Sequence, residues 1–554
     1  MYHYLMPKYP YEHYFPFSKI RKEQRTAIEF AIDAFESGKN YVVLELGTGV
    51  GKSATGLAIA RYMEAHGEAL KKEDGELLTG AYVVTTQKIL QAQYLNDFGP
   101  ASGKNLVRSI KSSNNYKCGF YEDQTCAESK RILSKLTKQL AGTEFQKHCK
   151  VSCPYSIEKQ QFIDSPVSIT NFPYILAEST YAGKLEPRAL LIVDEAHNTE
   201  GELSKFIEVT FSEKFAKDVL KCKPAKNESQ AAIFDWIKTT YKRALTKHIS
   251  SLEKSLMKLS NDIEGYGIQS KQYELLEKHV SKIETFVEVY KPENWVMNVA
   301  TPPLDNKKAG KKYEFKPIDV SPYAFNSFFK LGGRVLMMSA TIVDKQVFCE
   351  SLGLKMTDVA YLTIPSPFPV ENRPIHYIPA GSMSKSMIDK TLPVVVETVK
   401  MLLEKHAMDK GIIHCTNYRI AKYIKENIVS DRLMLHDSTN RDEVLKVHIN
   451  SMEPTVLLSP SMMEGVDLKD DLSRFQIMCK VPFPYLGDLV VKKRMEKNEK
   501  WYPYMTAKSI IQSLGRSIRN ENDHAISYIL DSDWDRFFSK NRNLFPNEFN
   551  TLIS

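Results

Sequence analysis

The tightest constraint on this chain is the run Glu45-Leu46-Gly47-Thr48-Gly49-Val50-Gly51-Lys52-Ser53, which follows the apolar stretch Tyr41-Val42-Val43-Leu44 and leads into a helix-compatible segment from Ala54 to Met63. Strand, glycine-rich turn and helix in that order read as a phosphate-binding loop. Glycines keep Cβ atoms out of the way so that backbone N–H groups can close round an anion, and the helix adds its positive N-terminal end. Thr48, Gly49 and Gly51 belong to that loop, Lys52 would reach the β- and γ-phosphates of a nucleotide, and Ser53 would hold Mg²⁺. The generic pattern asks for glycine at position 46; this chain has Leu46, with its glycines at 47, 49 and 51.

Such a loop needs carboxylates to complete it. Ala189-Leu190-Leu191-Ile192-Val193 runs straight into Asp194-Glu195-Ala196-His197. An apolar parallel strand presenting two adjacent carboxylates suits Mg²⁺-dependent hydrolysis of a nucleoside triphosphate, with Asp194 for the metal and Glu195 to orient the attacking water. Upstream, an amphipathic helix opens at Arg21-Lys22-Glu23-Gln24 and runs through Phe35. The amide of Gln24, donor and acceptor at once, can pair with an adenine edge. Ala81 to Thr86 reads as a buried strand ending in hydroxyls, followed by a helix carrying Gln87, Gln91 and Gln93. Polar groups at the carboxyl end of such a strand lie where α/β sheets bind ligands.

Lys52 and Asp194 are 142 positions apart, so something is inserted between them. Cys118, Cys126, Cys149 and Cys153 lie in that insert, spaced C-x7-C-x22-C-x3-C. Four converging thiolates hold either Zn²⁺ or an iron-sulfur cluster, and spacing does not separate the two. Residues 101–160 carry eleven Lys/Arg against five Asp/Glu, a net +6 of the chain's +8. This is either a solvated basic face or a groove for a polyanion. Tyr116, Phe120 and Tyr121 stand among these charges, a mixture that suits single-stranded nucleic acid. A second insert follows Asp-Glu-Ala-His. Apolar residues from Ile237 to Ile263 and from Tyr273 to Tyr290 recur at steps of three and four on either side of Gly265-Tyr266-Gly267, predicting an antiparallel helical hairpin. Pro302-Pro303, the basic stretch Lys307 to Lys312 and Pro317 read as a linker.

The second half repeats the α/β alternation. Gly333 to Met338 is a strand capped by Ser339-Ala340-Thr341-Ile342, whose hydroxyls can sense a neighbouring phosphate or water. Gly411 to Tyr418 reads as a strand-to-loop turn and Thr455 to Ser459 as another strand, which leads through Ser461 into Glu464-Gly465-Val466-Asp467. Gln512-Ser513-Leu514-Gly515-Arg516-Ser517-Ile518-Arg519 reads as the start of a helix with Arg516 and Arg519 on one face. Planar guanidinium groups match the charge developing on a transferred phosphoryl.

In this order the blocks resemble the DinG/XPD family of superfamily 2 iron-sulfur DNA helicases, from about Gln24 to Asp531. Leu46 is similar to that family's own loop, in which a glutamate precedes a shortened glycine run. Asn114-Asn115-Tyr116-x-Cys118 and Thr170-Asn171-Phe172-Pro173-Tyr174 resemble its sequences flanking the cluster. The resemblance implies an α/β fold of two RecA-like motor domains, with an iron-sulfur domain and a helical Arch domain inserted in the first. It implies ATP, Mg²⁺ and a 4Fe-4S cluster as cofactors, with Cys118, Cys126, Cys149 and Cys153 as cluster ligands. Gln24, Gly465, Asp467 and Gln512 would join the nucleotide site, and Arg516 and Arg519 would act across the cleft. The implied activity is ATP-driven 5′ to 3′ translocation on single-stranded DNA and unwinding of forked or tailed duplex, in repair, recombination or replication. An ATP-driven single-strand-binding switch or translocase that does not separate strands is the alternative.

The expected boundaries are 1–103, 166–203 and 326–370 for the first motor domain, 104–165 for the cluster domain, 204–325 for the Arch and 371–554 for the second motor. No apolar run approaches the roughly 18 residues of a membrane span, and Met1-Tyr2-His3-Tyr4 does not open a signal peptide. A cytoplasmic monomer with reduced thiols is expected, without membrane association and with accessory proteins unspecified.

Overall fold

The computed structural model of the chain describes residues 8–549 except 73, 122, 137–139, 183–184, 259–262, 302–309, 438, 461–467, 469, 516, 519, 521 and 548. Strands β1 (Tyr41–Leu46), β2 (Ala81–Thr85), β3 (Arg108–Ser109), β4 (Val167–Asn171) and β5 (Arg188–Asp194) open the first unit. After an excursion through β6 (Val209–Ser212), β7 (Trp295–Ala300) and β8 (Lys312–Pro317), the chain returns with β9 (Gly332–Ser339) and β10 (Val359–Ile364). The first sheet is ordered β10-β1-β9-β5-β2-β4-β3, with every pairing parallel. Its central strands read as continuous apolar runs because both faces are covered. Val42, Leu44 and Leu336 pack into one apolar core and Val43, Leu191 and Met337 into another.

The order matters for function. β1, β9 and β5 are consecutive neighbours, so their carboxyl ends bring the glycine loop, Ser339 and Asp194 side by side.

A second parallel sheet, β11-β16-β15-β12-β14-β13, is built from β11 (Ile375–Gly381), β12 (Gly411–His414), β13 (Leu433–Leu435), β14 (Val456–Ser459), β15 (Phe475–Met478) and β16 (Ile526–Asp531). Two parallel α/β sheets in one chain are what two RecA-like domains require.

Several expectations are corrected. The second insert is not purely helical: β6, β8 and β7 form an antiparallel sheet under the hairpin of Lys242–Lys258 and Ile263–Val289. Pro317, expected in a linker, ends β8 in that sheet. Gly265 to Gly267 lie inside the helix Ile263–Val289 instead of interrupting it, since helical neighbours carry the backbone through a glycine at a cost of about 1 kcal/mol. Gln512 lies near the end of a helix, Trp501–Leu514, not at the start of one. Among the described residues no helix is long and apolar enough to cross a membrane.

The cysteine-bearing insert is tied to the first sheet by Arg188. Its buried guanidinium donates to the carbonyls of Phe162 (3.2 Å) and Ile163 (2.7 Å) at the end of the helix Pro154–Asp164, and to Ser165 (2.7 Å) and Ala81 (3.1 Å). It also stacks over Tyr82 at 4.5 Å. Lysine offers no fork that could serve four acceptors. Arg188→Lys is expected to destabilise the first unit by about 3 kcal/mol, read as a lower urea midpoint by circular dichroism.

Candidate nucleotide site

Three glycines shape the loop after β1, each for its own reason. Gly47 passes the backbone of Ser366 so closely that a Cβ would lie 2.2 Å from the Ser366 nitrogen. Gly49 and Gly51 both have φ of +92°, a region L-side chains rarely adopt. Leu46 is the last residue of β1 and fully buried in the core. A glycine there would leave a cavity in the core without adding an N–H to the loop, which accounts for the departure from the generic pattern. Ser366 donates to the Thr48 carbonyl at 2.7 Å, and Arg21 donates to the Gly49 carbonyl.

Lys52 and Ser53 start the helix Lys52–His66, whose N-cap is Gly51. Asp194, at the end of β5, is buried and accepts a hydrogen bond from the Tyr94 hydroxyl at 3.0 Å. That hydroxyl also meets Ser53. Burial, and then the charge of Glu195, push the Asp194 carboxyl above its usual range; Lys52, Tyr94 and the Glu195 N–H pull it back. A buried carboxylate with a like charge beside it is a place where a divalent cation lowers the energy. Asp194 and Ser53 fit Mg²⁺ on that ground.

Glu195 has φ of +52°, and His197 stands 3.4 Å from its carboxylate. A left-handed non-glycine residue between strand and turn marks a strained site. His197 Nδ1 pairs with the Ser339 hydroxyl at 2.8 Å. Across the cleft, Lys508 donates to the His197 carbonyl at 3.1 Å, and Gln512 Nε2 to the Thr341 hydroxyl at 3.0 Å. The Thr341 hydroxyl after β9 therefore faces a helix of the second unit, while the Ser339 hydroxyl faces His197.

Gln24 is buried beside the loop, where a Cβ on Gly51 would lie 2.4 Å from its Nε2. Its Oε1 accepts the Arg21 N–H at 2.9 Å, capping the helix Lys22–Glu36. Gly465, Asp467, Arg516 and Arg519 lie outside the described residues. Tyr94 and His197 stand within recognisable motifs, yet sequence reasoning assigns them no role. A tyrosine on a buried helix has the spacing of a core aromatic, and only the need of its hydroxyl for a partner hints at more.

The four cysteines come together in part. Cys126, Cys149 and Cys153 border the same apolar core. Burial first, then neighbouring thiols, push Cys126 up to about 12 and Cys149 up to about 11. The thiols felt are Cys153 and Cys149 by Cys126, and Cys153 and Cys118 by Cys149. Burial works against the Cys153 thiolate, but donors from Ser156, Cys126 and Tyr155 bring it below its ordinary value. Among the described residues no three His, Cys, Asp or Glu side chains form a group able to hold a metal ion. Of the three aromatics singled out, Phe120 is exposed, whereas Tyr116 is half-buried and donates to Glu158 at 2.6 Å.

A glycine loop, a buried strand-end carboxylate and a second parallel α/β unit facing them define a P-loop nucleotide-binding protein with two RecA-like units. Residues 17–227 match the family described as "Type III restriction enzyme, res subunit", and residues 400–551 match "Helicase C-terminal domain". The ATP-dependent DNA helicase DinG of Photobacterium profundum is 28% identical over 245 residues, covering 39% of this chain and 34% of that protein. The ATP-dependent DNA helicase CHL1 of Candida albicans is 34% identical over 88 residues, covering 13% of this chain and 10% of that protein. The matches thus span about a third and a tenth of those relatives. The solved structure titled "XPD_Helicase" aligns over 97% of this chain and 100% of its own, with TM-score 0.64 and 16% identity. That of S. tokodaii Xpd4 aligns over 96% and 99%, with TM-score 0.57 and 16% identity. By these matches the chain is similar to DinG/XPD-like proteins of superfamily 2.

The loop geometry is directly testable. Gly49→Ala adds a methyl 2.1 Å from the Phe368 ring at a φ of +92°. It is expected to weaken binding of a fluorescent ATP analogue by about 10- to 100-fold, measured by titration. Tyr94→Phe is expected to leave that affinity near wild type while slowing ATP hydrolysis about tenfold, in a steady-state phosphate-release assay.

Proposed function

We propose that this chain is an ATP-dependent DNA helicase that moves 5′ to 3′ on single-stranded DNA and unwinds forked or tailed duplex. The observation that carries this reading is the pair of hydrogen bonds from Gln512 and Lys508 to Thr341 and His197. Through them the hydrolytic centre on one sheet touches a helix of the other. The six segments read from the sequence, with boundaries at 103, 165, 203, 325 and 370, serve as motor, cluster and Arch regions in this reading. Repair, recombination or replication is the setting, in the cytoplasm and as a monomer.

In the proposed cycle the backbone N–H groups of Thr48 to Gly51 and the Lys52 ammonium bind the β- and γ-phosphates. Ser53 and Asp194 would hold Mg²⁺, which would supply charge neutralisation for the phosphates when bound. Glu195 orients the attacking water and takes its proton, and His197 fixes Glu195 from behind. Gln24, Gly465, Asp467 and Gln512 contribute to the nucleotide pocket, and Arg516 and Arg519 meet the charge that develops on the γ-phosphoryl. Closing the two units on ATP and reopening them after hydrolysis shifts the grip on the strand.

Cys118, Cys126, Cys149 and Cys153 would hold a 4Fe-4S cluster, which would crosslink the insert into one rigid body. The influence of the four thiols on one another and the donors around Cys153 support that fit, and the cluster would draw together side chains that form no three-ligand group among the described residues. A brown, iron-bearing protein after anaerobic purification is expected; a colourless, zinc-loaded and active protein would replace the cluster by structural zinc.

Lys52→Ala is expected to abolish single-strand-stimulated ATP hydrolysis while far-UV circular dichroism stays unchanged. Strand displacement is measured on 5′-tailed, 3′-tailed and RNA substrates. The helicase reading expects unwinding of the 5′-tailed DNA duplex; robust hydrolysis with no unwinding of any duplex would make the chain an ATP-driven clamp or translocase.

A further inference from the structure

We infer that Glu45 is a positioning residue that couples the phosphate loop to the second motor unit, an inference that rests on the ATPase reading above. Glu45 lies on β1 between two neighbours, in register with Ser339 of β9 and Thr363 of β10. It stands two residues before Gly47, where the strand hands over to the loop. Its carboxylate has four donors. Oε1 accepts the backbone N–H groups of Ile342 and Val343, each at 2.8 Å. Oε2 accepts the Tyr361 hydroxyl and, at 3.2 Å, that of Thr363.

The two backbone donors belong to a strained loop. Val343 has φ of +69°, and a β-branched residue in the left-handed region is a genuine outlier. Such a conformation persists only where its surroundings hold it. Successive N–H groups aimed at one anionic oxygen are a charge-assisted clamp of that kind.

What the clamp holds is the contact with the second unit. In the same loop Ser339 accepts the Thr341 N–H at 3.0 Å and pairs with His197, while Thr341 accepts from Gln512 at 3.0 Å. The Val343 side chain packs in apolar clusters with Ala507, Ile510, Trp501 and Tyr504 of the helix Trp501–Leu514. One carboxylate thus fixes the strand that carries the loop glycines to the turn that touches the other motor. Removing it frees the turn without removing a group that reaches the nucleotide.

An amide at this position keeps one acceptor for the two N–H groups, and the Tyr361 and Thr363 hydroxyls can rotate to accept from its nitrogen. Glu45→Gln is therefore the conservative variant and Glu45→Ala the disruptive one. ATP hydrolysis is measured with and without a single-stranded oligonucleotide, together with titration of a fluorescent ADP analogue. Glu45→Ala is expected to lower single-strand-stimulated kcat at least about tenfold while KM for ATP and analogue affinity move less than about threefold. Glu45→Gln is expected to recover most of that loss. Loss of analogue binding in both variants would make Glu45 part of the phosphate loop alone and overturn the inference, as would wild-type stimulation in Glu45→Ala.

Where Glu45→Ala does not fold, Glu45→Asp, whose shorter side chain draws the carboxylate off the Ile342 and Val343 N–H groups, carries the test in a double-mutant cycle with Thr341→Val. The pair is expected to be no worse than the worse single variant, and additive losses would overturn the coupling. A wild-type chain without single-strand-stimulated hydrolysis would overturn the ATPase reading as well, so the two failures are told apart by the wild type.

Discussion

Asp194 carries a charge into a place that does not solvate it. A carboxylate buried at the end of a parallel strand, with Glu195 next in sequence, is held up in energy by burial and by like charge. What relieves it locally is a small set of groups: the Tyr94 hydroxyl, the Glu195 N–H and the nearby Lys52 ammonium. Each belongs to a different element of the first sheet. The strand order that makes β1, β9 and β5 neighbours can be read as the arrangement this one charge demands. Lys52 must come from the helix that follows β1, and the Ser339 hydroxyl at the end of β9 holds His197, two residues beyond Glu195. Tyr94 comes from the helix that follows β2, the strand on the other side of β5.

Much of this is legible in the residues themselves. Apolar runs ending in glycines, carboxylates or hydroxyls mark parallel strands and their ligand ends, because a strand buried on both faces has nowhere else to place polar groups. Lys52, Asp194 and Ser339 fall where that reasoning puts them. The three-stranded sheet of the second insert is not legible. Its strands are short and lie against an aromatic core of Phe211, Phe286, Trp295 and Phe315, whose packing contributes what alternation along each strand does not announce. Propensity alone turns the glycines at 265 and 267 into a break. Packing of the hairpin outweighs a cost of about 1 kcal/mol per glycine.

Tyr94, His197 and Glu45 share a different kind of illegibility. Each acts on another functional group and not on a ligand, so its residue type and spacing are those of an ordinary core or strand position. Their roles come from backbone geometry that a sequence does not print. Glu195 and Val343 adopt positive φ, and the histidine and glutamate sit where those strained turns need a partner. Strain of about 1 to 3 kcal/mol at such residues is offset only by a fully formed surrounding.

The contact between the two units is drawn mostly from polar groups, and this bears on how they move. Gln512 to Thr341 and Lys508 to His197 are joined by ion pairs of Arg494 with Glu200 and of Lys497 with Asp319. The apolar part centres on Val347 with Trp501 and Tyr504. A hydrogen bond contributes about 1 kcal/mol net, since water replaces the partner when it opens; the half-exposed Lys497–Asp319 pair contributes no more, and the more buried Arg494–Glu200 pair is offset by the desolvation of its two charges. An interface of this make-up can open and close for a few kcal/mol. That is within what differential binding of a nucleotide to the two states supplies. An extensive apolar seam would have locked the sheets together, whereas a handful of replaceable polar contacts anchored on strained turns keeps the opening of the interface within that energy. In the proposed cycle, that is how the second unit responds to which nucleotide lies over Lys52.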